Sequence, residues 1–160
     1  MRKAGLNCIM LCKMQGNLFA HYYKYCDCSP LVFVRRFMTS KLAERFDDLT
    51  VLLEVSSEET FVDEINAQYG ITHHGKKTDK DEEVLFWTGY IYRYWCYVYE
   101  ISSKKLVQHL NPGKLFRRYY LYHSMDLQYA IERIAEEEKI YLPPRKSIEE
   151  ILDELIKSNS

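Results

Sequence analysis

The run from Val84 to Tyr99, VLFWTGYIYRYWCYVY, limits what this chain can fold into more than any other feature. It is apolar on every face, and Arg93 is its one formal charge. A surface helix shows a single apolar stripe, whereas a helix that is hydrophobic all round belongs in the middle of a bundle. The alternation Tyr90, Tyr92, Tyr94 also suits a strand, but strands rarely exceed about 10 residues. Asp81, Glu82 and Glu83 stand just before the run, where the positive end of a helix dipole favours acids. The fold class expected is therefore all-α: a single-domain multi-helix bundle around a central aromatic helix over about 82–100. Arg93 in the middle of the run argues against a membrane span, which needs about 18 or more uninterrupted apolar residues.

The rest of the chain fits a helical domain. It has 160 residues, a net charge of −1, and 14 Tyr, 7 Phe and 2 Trp, too aromatic and too nearly neutral for a disordered chain. With 6 Gly and 4 Pro it is neither collagen-like nor of low complexity. The charge balance excludes a generally basic nucleic-acid binder but leaves room for a local basic patch. The cysteines are Cys8, Cys12, Cys26, Cys28 and Cys96, an odd number with no secretory signal ahead of them, which points to reduced thiols and a cytoplasmic protein. Cys8-x3-Cys12 with Cys26-x-Cys28 lacks the Cys-x2-Cys spacing of structural zinc sites, and no metal is expected. The sequence holds no glycine-rich phosphate loop and no nucleophile elbow, and no cofactor is expected.

Cap-and-stripe patterns divide the chain. Leu18, Phe19, Tyr22, Tyr23 and Cys26 form one stripe, following Met14-Gln15-Gly16-Asn17. Met14 is read as the natural start, and residues 1–13 as an extension without a structural role. Ser29-Pro30 and Asn111-Pro112 each place a capping residue before a proline at the first helical position. Thr39 or Ser40, Ser57, Thr78-Asp79, Ser102 or Ser103, Ser124 with Asp126, and Ser147 are the other candidate caps, and Gly70 is a C-terminal stop. Leu49–Val55 is ambiguous and is read as a buried helical turn. Phe61, Ile65 and Tyr69 are expected to form the buried stripe of the helix before Gly70. The expected organisation is a helical domain over 14–141, a linker over 142–146 and a terminal helix over 147–157, with Ile148, Ile151, Leu152 and Leu155 on one face.

Three groupings could carry function. Arg93 among tyrosines could grip a phosphate or carboxylate, or could simply be core. From Ser102 to His123 the chain carries Lys104, Lys105, Lys114, Arg117 and Arg118 and no acid, a stretch that could contact nucleic acid or dock an acidic helix. Arg118-x4-His123 resembles the Arg-x4-6-His motif of HEPN-type ribonucleases. It departs from that pattern in having Tyr119 after the arginine and in placing His123 at a helix end. The pair His73-His74 is read as a solvated loop.

The string Phe86-Trp87-Thr88-Gly89-Tyr90-Ile91-Tyr92-Arg93-Tyr94-Trp95, with His123-Ser124-Met125-Asp126 further on, resembles an uncharacterised family of small α-helical proteins from gut-dwelling Firmicutes. That resemblance covers about Met14 to Ile134 and implies a toxin–antitoxin or defence gene neighbourhood. The function expected from it is a protein-binding, antitoxin-like or accessory component whose partner is a protein such as an adjacent-gene toxin. Nucleic-acid regulation through 102–123 is the alternative, and a ribonuclease using Arg118 and His123 a weaker one. No membrane partner is expected; a homodimer is a further option, and catalysis is disfavoured. The candidate binding residues are Arg93, Tyr97, Lys104, Lys105, Arg117, Arg118 and Tyr122. The site is expected where the central and basic helices meet, around Arg93, Arg118 and His123.

Overall fold

A computed structural model describes the whole chain except residues 78–79 and 145–146, so the Thr78-Asp79 cap lies outside the described residues. Among the described residues the chain is all-helical, with nine α-helices and no strand. They are α1 (Leu6–His21), α2 (Pro30–Thr39), α3 (Lys41–Asp47), α4 (Glu58–Tyr69), α5 (Glu82–Tyr99), α6 (Ser103–His109), α7 (Pro112–Tyr122), α8 (Leu127–Glu138) and α9 (Ile148–Ser158). Short 3₁₀ turns at Tyr22–Lys24 and Thr50–Leu53 link them.

The central helix lies where its composition puts it. α5 packs along α1 and touches α6, α7 and α8. Its Ile91, Tyr92, Trp95 and Val98 are buried. The local signals around it also hold. Ser29, Ser40, Ser57, Ser102, Asn111, Asp126 and Ser147 each accept a backbone N–H from the first turn they precede. Each bond satisfies a donor that the helix cannot pair internally. Gly70 ends α4 at φ 85°, a conformation that favours glycine.

Three expectations need correction. Residues 1–13 do have a structural role: α1 starts at Leu6, and Cys8, Leu11 and Cys12 are fully buried. Asn7 and Lys13, which break up the apolar run in sequence, lie on the exposed side of the helix. Ahead of it, Arg2 donates its N–H to the Val98 carbonyl at 2.6 Å and stacks over the Tyr97 ring at 4.5 Å. Next, Leu49–Val55 holds a helical turn over Thr50–Leu53, but only part of it is buried. Leu49 takes φ 69°, a 3₁₀ turn follows, and Val51 is buried while Leu53 and Val55 are exposed. Finally, Tyr69 is exposed instead of completing the buried stripe of α4. Its hydroxyl meets Thr39 at 2.7 Å, and the Arg36 guanidinium lies 5.5 Å from its ring centre.

Candidate functional site

Arg93 does not face a binding surface. Its residue is 1% exposed, and each guanidinium nitrogen has a partner inside the protein. Nε donates to Gln15 Oε1 at 2.7 Å, one Nη to Asp47 Oδ1 at 2.6 Å and the other to Ser103 Oγ at 2.6 Å. Ser103 in turn donates its backbone N–H and its hydroxyl to the Asp47 carboxylate, at 3.0 and 2.6 Å. Gln15 completes the knot by donating from Nε2 to the Gly89 carbonyl at 3.0 Å. A buried charge must be paired and hydrogen-bonded, and this cluster does so with groups from α1, α3, α5 and α6. Arg93 is thus a tie between helices, not a ligand-gripping side chain.

The basic stretch divides into paired and free cations. Lys114 and Arg118 turn toward the acidic end of α8. Lys114 Nζ lies 2.6 Å from Glu138, and Arg118 binds both Glu137, at 2.9 Å, and Glu138. Buried Tyr122 donates its hydroxyl to Glu137. These bonds hold Glu137 and Glu138 below the usual carboxylate range, Glu137 chiefly through Tyr122 and Glu138 chiefly through Lys114. Arg118 and Tyr122 therefore join α7 to α8, and Tyr97 is half-covered by Arg2. Of the candidate binding residues, Lys104, Lys105 and Arg117 remain exposed. His123 stacks on Tyr119 with ring centres 4.3 Å apart, and its Nδ1 lies 2.7 Å from the Tyr119 carbonyl. Five helical positions separate Arg118 from His123, a rotation of about 140° at 3.6 residues per turn. Within one chain these two side chains do not share a site.

A groove opens where α5 and α7 meet. It encloses about 670 Å³ between α1, α5 and α7. Phe86, Trp87, Tyr90 and Tyr119 form its walls, with His21, Glu82, Glu83 and His123 among the polar groups around them. Of the three residues expected there, only His123 lines it. Glu82 accepts from Tyr23 at 2.5 Å, Glu83 from Tyr119 at 3.3 Å, and His21 Nδ1 lies 3.0 Å from Glu58. The bond to Glu82 pushes the Tyr23 hydroxyl up. No serine, threonine or cysteine lines the groove among the described residues, so its chemistry is that of apolar and aromatic contact with a carboxylate edge.

Four of the five thiols form two separate pairs, not one four-thiolate set. Cys8 and Cys12 lie 3.9 Å apart, sulfur to sulfur, in the core of α1; Cys26 and Cys28 lie 3.2 Å apart before α2. Among the described residues no group of three or more His, Cys, Asp or Glu side chains could hold a metal ion. The Cys28 thiol bonds to the partly exposed Cys26 sulfur and is the main cause of pulling Cys26 down to about 6; Cys28 itself is pushed up by the same contact.

Two features were missed in the sequence. One is a cleft that gathers Arg35, Lys76, Lys80 and Arg117 from three separate segments. The paired Ser-Pro and Asn-Pro caps and the lysine-bearing loop were its only sequence signals. The other is the condition of α9. Its apolar stripe was visible, but not that it is uncovered: no residue of α9 is buried, and Ile148, Ile151, Leu152, Leu155 and Ile156 are 44–77% exposed.

No protein-family model matches the chain, and no curated protein or solved structure matches it significantly. The class defined by fold and surface is an all-α helical bundle with a capped, amphipathic C-terminal helix. No helix among the described residues is long and apolar enough to cross a membrane.

Proposed function

We propose that the chain works by binding a protein partner, and that α9 is the recognition element. The observation that carries this reading is the bare apolar stripe of α9. Ile148, Ile151, Leu152, Leu155 and Ile156 recur at i, i+3, i+4, i+7 and i+8, the spacing of a helix made to bury one face. Glu149, Glu150, Asp153, Glu154 and Lys157 occupy the remainder. Ser147 and Glu150 close a reciprocal capping box at its start. An isolated helix of fewer than about 12–15 residues is marginal in water, so a helix of 11 residues draws its stability from what covers it. Laying an amphipathic helix in an apolar groove is a recurring mode of protein recognition. The resemblance to the Firmicutes family supplies the biological setting of this reading: an antitoxin-like or accessory component of a toxin–antitoxin or defence module, acting in the cytoplasm.

The test is co-purification of the tagged full-length chain with the products of neighbouring genes, beside a Leu152→Asp/Leu155→Asp variant. A stoichiometric complex that the variant loses supports the reading. Failure to form any complex, with the wild-type chain monomeric by light scattering, overturns it. A wild-type dimer that the variant turns into a monomer identifies the partner as a second copy.

A further inference from the structure

We propose that the cleft between α2, residues 74–76 with Lys80, and α7 is a binding site for a polyphosphate anion of nucleotide size. It encloses about 600 Å³, within the range of small-molecule pockets. Arg35, Lys76, Lys80 and Arg117 line it, with no Asp or Glu among its described lining residues.

Elsewhere in the molecule several arginines and lysines are bound by carboxylates. Arg45 binds Glu54 and Glu64, Lys77 binds Asp27, and Arg93 binds Asp47. On α7 itself, Lys114 and Arg118 bind Glu138, while Arg117 next to them turns to the cleft. Arg35, Lys76, Lys80 and Arg117 make no ion pair among the described residues. Like charges gathered around one concavity repel within a Debye length of about 8 Å, and an anion between them relieves that repulsion.

The backbone adds to the field. Ser29 and Leu31 at the start of α2, and Gly113 at the start of α7, all line the cleft. These helices have 10 and 11 residues, and both turn the positive end of their dipole toward it. The segment carrying Lys76 is tied down. Ser29 donates its N–H to the His74 carbonyl at 3.0 Å, and Lys77 lies 2.8 Å from Asp27. Gly75, at φ 83°, rests against Ser29 so closely that an added Cβ would fall 2.5 Å from Ser29 Oγ. Two planar guanidinium forks and two ammonium groups suit several phosphate oxygens better than one carboxylate. Leu31, Val32 and Phe116 offer an apolar wall for the rest of the ligand.

The experiment is isothermal titration of the full-length protein with ATP, pyrophosphate and adenosine in magnesium-free buffer. ATP and pyrophosphate are expected to bind saturably and adenosine not to. Arg35→Ala/Arg117→Ala is expected to weaken ATP binding at least about tenfold, as loss of charge-assisted bonds should. Lys104→Ala/Lys105→Ala, which removes the same charge from α6, is expected to leave it within about twofold; thermal melts check that both variants stay folded. Lys76→Glu, a single change at an exposed position, is expected to weaken binding in the same direction. Absence of saturable binding by ATP and pyrophosphate overturns the proposal, as does equal weakening by the two double variants. Tighter binding of a single-stranded RNA, indifferent to Arg35 and Arg117, overturns it too.

Discussion

Gly89 of α5 meets Gly16 of α1 backbone to backbone: a Cβ at position 89 would lie 2.9 Å from Gly16 Cα and 2.7 Å from the Gln15 carbonyl oxygen. The closeness has a consequence for Arg93. It brings α1 near enough for the Gln15 side chain to bond both Gly89 and Arg93. The contact that sets the spacing of the two helices thus also supplies one partner of the buried charge.

Gly89→Ala is expected to destabilise the fold. Alanine gains about 1 kcal/mol of helix propensity over glycine. The added methyl has backbone, not a flexible side chain, to displace, and overpacking of this kind costs about 1–3 kcal/mol. The steric term is expected to win, with a lower midpoint in urea unfolding. A midpoint at or above that of the wild type would show that the two helices can separate at little cost.

Asp47→Ala leaves the Arg93 guanidinium buried without its carboxylate. Breaking a buried pair on one side costs about 3–5 kcal/mol. Arg93→Met removes the charge instead and leaves Asp47, whose side chain is 20% exposed, bonded to Ser103. Arg93→Met is expected to be the milder change in chemical denaturation. The reverse order would mean that Arg93 is stabilised mainly by Gln15 and Ser103.

Deleting residues 1–13 is expected to lower the melting temperature sharply or to leave the chain insoluble. The deletion uncovers the α5 surface under Cys8, Leu11 and Cys12 and removes the Arg2 contacts at Val98 and Tyr97. Burial of one large aliphatic side chain alone stabilises by about 1.5–3 kcal/mol. An unchanged melting temperature would restore the reading of this segment as structurally idle.

Alkylation by iodoacetamide is expected to reach Cys26 first. Its sulfur is partly exposed, and the hydrogen bond from Cys28 favours the thiolate, so reactivity should rise with pH through a midpoint of about 6. Cys8, Cys12, Cys28 and Cys96 are buried and should label only on unfolding. Cys28→Ala removes the donor and should move the midpoint upward. Peptide mass spectrometry across a pH series reads both effects; a profile with its midpoint near that of a free thiol would contradict the pairing.

What the sequence determined by itself was local. A serine or asparagine before a first turn caps it wherever the helix sits, so the caps at Ser29, Ser40, Ser57, Ser102, Asn111 and Ser147 were legible one by one. The run from Val84 to Tyr99 announced a central helix because so little of it is polar, although Phe86, Tyr90, Tyr94 and Tyr97 keep one half-exposed face. Tertiary structure alone decided which charges were spent. Arg93, Arg117 and Arg118 are the same residue type on aromatic-rich helices. One is locked to Asp47, one is bound by Glu137 and Glu138, and one faces a cleft beside Arg35. Charge pairing is set by distance in space, and residues such as Asp47 and Arg93, or Arg35 and Arg117, are brought together only by how the helices pack. For the same reason residues 1–13 looked dispensable. Their apolar positions were visible, but the surface of α5 that covers them exists only once the chain has folded.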